Sequence, residues 1–218
     1  MNIDEIIKIN PSLNIKKVTD ESFLEYGRVL KGIDCKDIVK YAETNLEMLE
    51  KGTKYTASVK ELEDFPIKDE LKSKIYGGLE IQIGSCLGKN NSLTGFEYHQ
   101  GSETVIAVTD LIIMVGKLRD MKGNDYDSSN VETFYVEKGQ IVEMYSNTLH
   151  YTPCNSDEKG FINLVVLLKG TNTPIEKSDN KILTKKNKYF IAHPSRTDKI
   201  KSGAYPGFIG DIPTVKLI

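Results

Sequence analysis

The amino-acid sequence predicts a mainly-β barrel or sandwich, preceded by a helical segment and followed by an extended tail. Three observations predict it. Strand-like runs recur at intervals of roughly ten residues after residue 78. Helix-spaced apolar residues are confined to the stretch before it. Prolines and glycines gather after residue 185, where they favour extended chain and turns. No strand–helix–strand alternation is present, which excludes a doubly wound parallel sheet.

The elements follow in order. Phe23, Tyr26 and Leu30 share one helical face after an N-cap at Thr19 or Asp20. From Asp34 onward, Ile38, Tyr41, Ala42, Leu46 and Leu49 recur at helix spacing, and Gly52 offers a stop. A third short helix is expected over 69–76, closed by Gly77-Gly78. Leu79, Ile81 and Ile83 then alternate with polar residues as a first strand. Further strands are expected over 93–99, 104–109, 111–118, 131–136, 140–145 and 161–168, separated by turn signals such as Gly123-Asn124-Asp125 and Lys138-Gly139. His193-Pro194, Tyr205-Pro206-Gly207 and Ile212-Pro213 argue against a helix in the tail. The expected organisation is one domain: helical segment 1–78 packed on the barrel, barrel 79–184, wrapping tail 185–218.

A chain of 218 residues fits such a domain with appendages. Its 39% hydrophobic and 28% charged residues are ordinary for a globular protein. The formal charge of −2 gives no electrostatic pull toward nucleic acid or an anionic membrane. No apolar run reaches the roughly 18–20 residues needed to span a bilayer. The opening Met1-Asn2-Ile3-Asp4-Glu5 lacks the basic and apolar regions of a signal peptide. A cytoplasmic protein with a small-molecule substrate is expected, with neither nucleic acid nor membrane as partner. Cys35, Cys86 and Cys154 are widely spaced and odd in number, so free thiols are expected, a nucleophilic Cys154 being the alternative.

The chemistry gathers around two of the three histidines. The two-residue period of a strand puts Glu97 and His99 on one face. A bend at Gln100-Gly101-Ser102 would return Glu103 to the same side. Later, the Gly139 turn leads into a strand, a polar turn, and His150. Imidazoles and carboxylates are a mixed donor set suited to divalent Zn, Mn, Fe or Ni. His99, Glu103 and His150 are the expected metal ligands, with Glu97 a fourth. Glu143 and Tyr145 share a face of the 140–145 strand. If inward, Glu143 is an acid to move a proton and Tyr145 orients substrate. The bland alternative is a solvated edge-strand glutamate and a packing tyrosine. His193 and Arg196 are candidate substrate-binding residues, since the guanidinium fork matches a carboxylate or phosphate. Their alternative is an ordinary surface loop. No glycine-rich phosphate cradle is present.

These spacings resemble the cupin superfamily. Glu97, His99 and Glu103 occupy the spacing of the first cupin motif, with Gly116 near its closing glycine. Gly139, Tyr145, Asn147 and His150 match the spacing of the second. Glu97 stands where the motif usually has histidine, Tyr145 and Asn147 depart from its usual residues, and Cys154 stands where it has Asn. Val18–Gly27 and Val136-Glu137-Lys138-Gly139-Gln140 are similar to segments of ureidoglycolate lyases. The helical insertion and the His193-Pro194 tail are not, so the chain looks like a bacterial cupin family lying near that enzyme. The resemblance implies an RmlC-like jelly roll and a homodimer. With the open mixed-ligand site, it implies an enzyme using its metal as Lewis acid on a sugar, sugar acid or ureido acid, with lyase or isomerase chemistry. The alternative is a non-catalytic cupin that binds or senses a small molecule.

Overall fold

The computed structural model describes residues 3–176 and 178–217. Met1 and Asn2 of the opening segment, and Ile218 of the tail, lie outside the described residues.

The N-terminal part holds helices α1 (Ile3–Ile9), α2 (Lys36–Asn45), α3 (Lys60–Glu63) and α4 (Ile67–Lys74), with strands β1 (Lys16–Lys17), β2 (Gly27–Val29) and β3 (Thr53–Thr56) between them. Strands follow: β4 (Ile81–Gly88), β5 (Gly95–Tyr98), β6 (Glu103–Ala107), β7 (Leu111–Lys117), β8 (Tyr126–Asp127), β9 (Glu132–Val136), β10 (Ile141–Met144), β11 (Thr148–Leu149), β12 (Cys154–Asn155) and β13 (Phe161–Leu168). The C-terminal part holds β14 (Leu183–Lys185), β15 (Lys188–Ala192), α5 (Thr197–Lys201) and β16 (Phe208–Ile209).

Taking β11–β12 as one interrupted strand and leaving out the short β8, the central strands number eight. One sheet orders them β4-β13-β6-β10, which is first, eighth, third, sixth. The other runs β5, β11–β12, β7, β9, which is second, seventh, fourth, fifth. Two facing sheets with this order form a jelly roll, the architecture of cupins. The flanking strands close the edges: β2 pairs β10, β3 pairs β4, β1 pairs β9 and β15 pairs β5. Paired edges leave few open backbone groups to recruit other chains.

The strands are buried on both faces, which explains why several read as apolar runs and not as clean alternation. Val105, Val115, Phe134, Val142 and Val165 point between the sheets. Ile83, Ile106, Ile141 and Leu164 point outward, beneath Ile38, Ala42, Ile67 and Leu71 of α2 and α4. On the other side, Ile112, Met114 and Tyr135 meet Ile6, Ile191, Phe208 and Val215 of the two terminal parts. Each such large apolar side chain contributes roughly 1.5–3 kcal/mol when fully buried, so both terminal parts are bound to the barrel by apolar packing.

Three sequence expectations are corrected. The first expected helix is a 3₁₀ turn over Glu21–Glu25 followed by strand β2. The backbone explains it: a Cβ on Gly27 would lie 2.0 Å from the Glu143 carbonyl oxygen, so only glycine lets β2 press against β10. The second helix ends at Asn45, and β3 follows it. The tail is not purely extended, because Thr197–Lys201 form one helical turn after Pro194. The third helix, expected over 69–76, is α4, and Gly77 and Gly78 end it with φ of 60° and 85°.

Candidate metal centre

Backbone pairing brings the chemistry together. Glu97 and His150 face each other across a two-way backbone bridge, with Glu97 N donating to His150 O at 2.7 Å and His150 N donating to Glu97 O at 2.9 Å. Residues directly opposite in such a pair project to the same face. His99 lies two residues after Glu97 on that face. Gly101, with φ of 110°, makes the turn that starts β6, and Glu103 opens the new strand. Its neighbour Thr104 bonds Tyr76 on the outer face at 3.0 Å, so Glu103 points inward.

Both histidines are held by backbone carbonyls. His99 Nδ1 lies 2.6 Å from Asn187 O, and His150 Nδ1 lies 3.0 Å from Thr148 O. A carbonyl oxygen only accepts, so Nδ1 donates in each ring and Nε2 is turned toward the other ligands. His150 Nε2 lies 3.2 Å from Glu103 Oε2. His99 Nε2 lies 3.5 Å from that oxygen and 3.8 Å from Glu97 Oε1. One donor atom each from Glu97, His99 and His150 lie within 4.8 Å of one another. Donors about 2.1 Å from a shared tetrahedral ion would stand about 3.4 Å apart. The observed spacings therefore fit an ion, and His99 Nε2, buried without a hydrogen bond, is the orphan such an ion would satisfy. Glu103 stands against both imidazoles, its Oε2 nearer to His99 Nε2 than Glu97 Oε1 is, so it is a further donor at the same point.

The electrostatics follow from this packing. Burial opposes ionisation of Glu103, but the His150 and His99 imidazoles outweigh it and hold the carboxyl well below its usual range. Burial likewise disfavours a charged His150, yet Glu103 and Glu97 raise its pKa above the ordinary value. Glu97 is also paired with the ammonium of Lys188 on β15.

The ligands open into a cavity of about 310 Å³ between the two sheets. Val105, Ile113, Met144 and Val165 form its apolar base. Burial pushes Cys86 up to about 12, helped by Glu103 and Glu97, and burial alone does the same for Cys154. Both are therefore neutral thiols, which answers the nucleophilic reading of Cys154.

Four expected site residues are not in this cluster. Glu143 and Tyr145 are corrected by the phase of β10: Val142 and Met144 face inward, so 141, 143 and 145 face out. Glu143 pairs there with Arg28 of β2, Oε2 to Nε 2.7 Å, and β10 is not an edge strand. His193 has Ser195 Oγ at 2.8 Å and Gly210 O at 3.1 Å on its two ring nitrogens. Arg196 makes a two-pronged bond to Asp198 at 2.8 and 2.7 Å and a third to Thr94 at 2.9 Å. Neither lines the cavity, and the Arg196 fork is already filled.

Sequence reasoning missed the contribution of the tail. Asn187, in the left-handed region with φ of 56°, turns β14 into β15 and supplies the carbonyl that orients His99. Its amide also bonds the Gln100 backbone, and Tyr98 and Tyr189 stack at 4.6 Å across the same pair. The one signal was the Lys185-Lys186-Asn187-Lys188 turn, and nothing local says where it docks.

No curated protein matches the chain significantly. Among solved structures, it is similar to CapF with the inhibitor 3-isopropenyl-tropolone (14% identity, 52% of this chain, 29% of that one, TM-score 0.36). It is also similar to a mutant of Bacillus subtilis oxalate decarboxylase OxdC (12% identity, 52% of this chain, 27% of that one, TM-score 0.32). A third is the 11S globulin of Wrightia tinctoria (12% identity, 40% of this chain, 20% of that one, TM-score 0.30). The chain thus spans less than a third of the length of these proteins, and likenesses this distant carry no argument about chemistry. Residues 15–212 match the model of the family described as a domain of unknown function, DUF4867, and the chain belongs to that family.

Proposed function

We propose that this chain is a metal-dependent enzyme of small polar metabolites, with lyase or isomerase chemistry. The observation that carries the proposal is the pair of imidazoles anchored through Nδ1, with Nε2 aimed at two carboxylates in a half-enclosed cavity. Carbonyl-anchored imidazole is the arrangement that fixes the metal-binding tautomer. Glu97, His99 and His150 would hold the ion, with Glu103 beside them. A divalent ion there supplies Lewis acidity toward a carbonyl or hydroxyl oxygen of the substrate.

The chain's own groups have separate parts. Glu103 is a carboxylate at neutral pH; it accepts from His150 Nε2 in the metal-free protein and would stand as a negative charge beside an ion that takes over Nε2. Tyr151 borders the cavity, and burial with the Glu97 charge pushes its phenol up to about 12, so its hydroxyl stays protonated. Among ureido acids, ureidoglycolate is the named substrate to try, on the motif resemblance alone.

The test is a turnover screen of chelated and metal-restored protein with sugar acids, ureido acids and ureidoglycolate. Turnover that returns only with metal supports the reading. Stoichiometric metal with no turnover of any of them, but with stabilisation by a ligand, would favour the binding or sensing alternative.

A further inference from the structure

The cavity mouth carries a charge pattern that the metal centre does not use. Three lysines line it: Lys185, Lys188 and Lys199, from the β14–β15 hairpin and α5. Only Lys188 has an ion-pair partner, Glu97; among the described residues Lys185 and Lys199 form no ion pair. Two carboxylates, Glu97 and Glu103, thus face three ammonium groups, leaving one net positive charge when the imidazoles are neutral. A divalent ion would add two more. Gathering like charges at a half-enclosed site is unfavourable unless something balances them. Lys199 feels this only weakly: burial and Arg196 lower its pKa, Asp198 opposes them, and Lys188 and Lys185 add a smaller lowering.

A second observation lies deeper. Asn163 of β13 borders the cavity at 1% exposure, and its Oδ1 has no hydrogen-bond partner. Asn172 repeats the pattern: its Nδ2 donates to Tyr55 Oη at 3.1 Å while its Oδ1 is buried and unpartnered. A buried acceptor left unpaired costs about 1–3 kcal/mol. Two such acceptors bordering one cavity call for donors from a ligand, and hydroxyl groups are donors that pair with amide oxygens without adding charge.

We propose that the cavity binds a small hydroxylated acid, its acid group at Lys185, Lys188 and Lys199 and its hydroxyls at Asn163 and Asn172. This deepens the proposed function by naming the substrate class. The volume of about 310 Å³ is at the small end of ligand pockets, which run from roughly 300 to 1,000 Å³, so the ligand is a short metabolite. The acid is a carboxylate or a phosphate, since ammonium groups accept either as point charges.

The experiment is calorimetric titration of metal-loaded protein with D-glycerate, D-gluconate and glycerol phosphate, against neutral glycerol and glucose. It is repeated on Lys185→Gln/Lys199→Gln and on Asn163→Ala, with metal content measured in every sample. The expected result is anion binding at least roughly tenfold tighter than the matching neutral compound, weakened by salt. That advantage falls roughly tenfold in the lysine variant, while Asn163→Ala weakens acids and neutral polyols alike. Lys185 is exposed, so Lys185→Gln alone serves if the double variant misfolds. Preference for glycerate and gluconate identifies a carboxylate; preference for glycerol phosphate identifies a phosphate. Equal binding of glycerol and the acids, no binding of any acid, or unchanged acid binding in the lysine variant overturns the inference. Selective acid binding by protein that takes up no metal on loading would sink the metal reading alone; metal uptake without acid selectivity would sink this inference alone.

Discussion

Glu103 and Glu143 are nearly equally buried, at 8% and 6% exposure, and sit on adjacent strands. Glu143 is opposite Thr104, and Met144 is opposite Glu103, so one residue of phase separates them. Glu103 points between the sheets and meets two imidazoles. Glu143 points beneath the N-terminal part and meets one half-exposed arginine. Burial of an acid is common to both. What distinguishes a site from a structural pair is the face, and the number of ligand-type groups that share it.

The largest effects are expected on the inner face. Glu103→Ala leaves His150 buried without its acid partner. Removing one member of a buried pair costs about 3–5 kcal/mol, and losing a carboxylate beside metal-bound imidazole lowers metal affinity roughly 10–100-fold. Chemical denaturation and a competitive metal titration measure the two effects. On the outer face, Glu143→Ala is expected to cost about 1–2 kcal/mol, since solvent screens the exposed arginine, and to leave metal affinity unchanged. A fall in metal affinity there as large as for Glu103→Ala would erase the distinction.

A milder perturbation tests the turn between the two ligand strands. Gly101→Ala puts a side chain at φ of 110° and within 2.8 Å of Leu168 Cδ1, at an expected cost of about 1–2 kcal/mol. The gentlest is pH. Glu103 is held below its ordinary 4.5, so in metal-free protein its contribution is complete above pH 4.5 and fades as pH falls toward the folded value. His150 is held above its ordinary 6.5, so its contribution is complete below pH 6.5 and fades as pH rises through the folded value. The Glu103–His150 pair therefore stabilises metal-free protein most between pH 4.5 and 6.5, which melting temperature against pH checks. Metal binding displaces a proton from His150, so metal affinity rises with pH over the upper range.

Much of this was legible in the sequence because it is local. The central strands, Gly77-Gly78 at a helix end, and the turn returning Glu103 beside His99 all follow from spacing and turn chemistry. The two-residue period also placed Glu97 and His99 together. The same period gave Glu143 and Tyr145 a shared face but not its direction, because coverage by α2 and α4 makes both faces of the sheet apolar. Arg196 read as a free anion binder because its partner Asp198 is two residues away in a turn that only the fold reveals. Lys188, Asn187 and Lys199 were invisible as site residues. Asn187 and Lys188 depend on a hairpin docking some 90 residues from the strand it joins, as the His99–Asn187 separation of 88 shows, and Lys199 on the helical turn α5 that follows it.

The proposed function rests on a metal ion held by His99 and His150. Elemental analysis of the purified protein beside a His99→Ala/His150→Ala variant tests it most directly. One equivalent of a divalent transition metal is expected in the natural chain, and its loss in a variant that still folds. Equal metal content in the two proteins would contradict it.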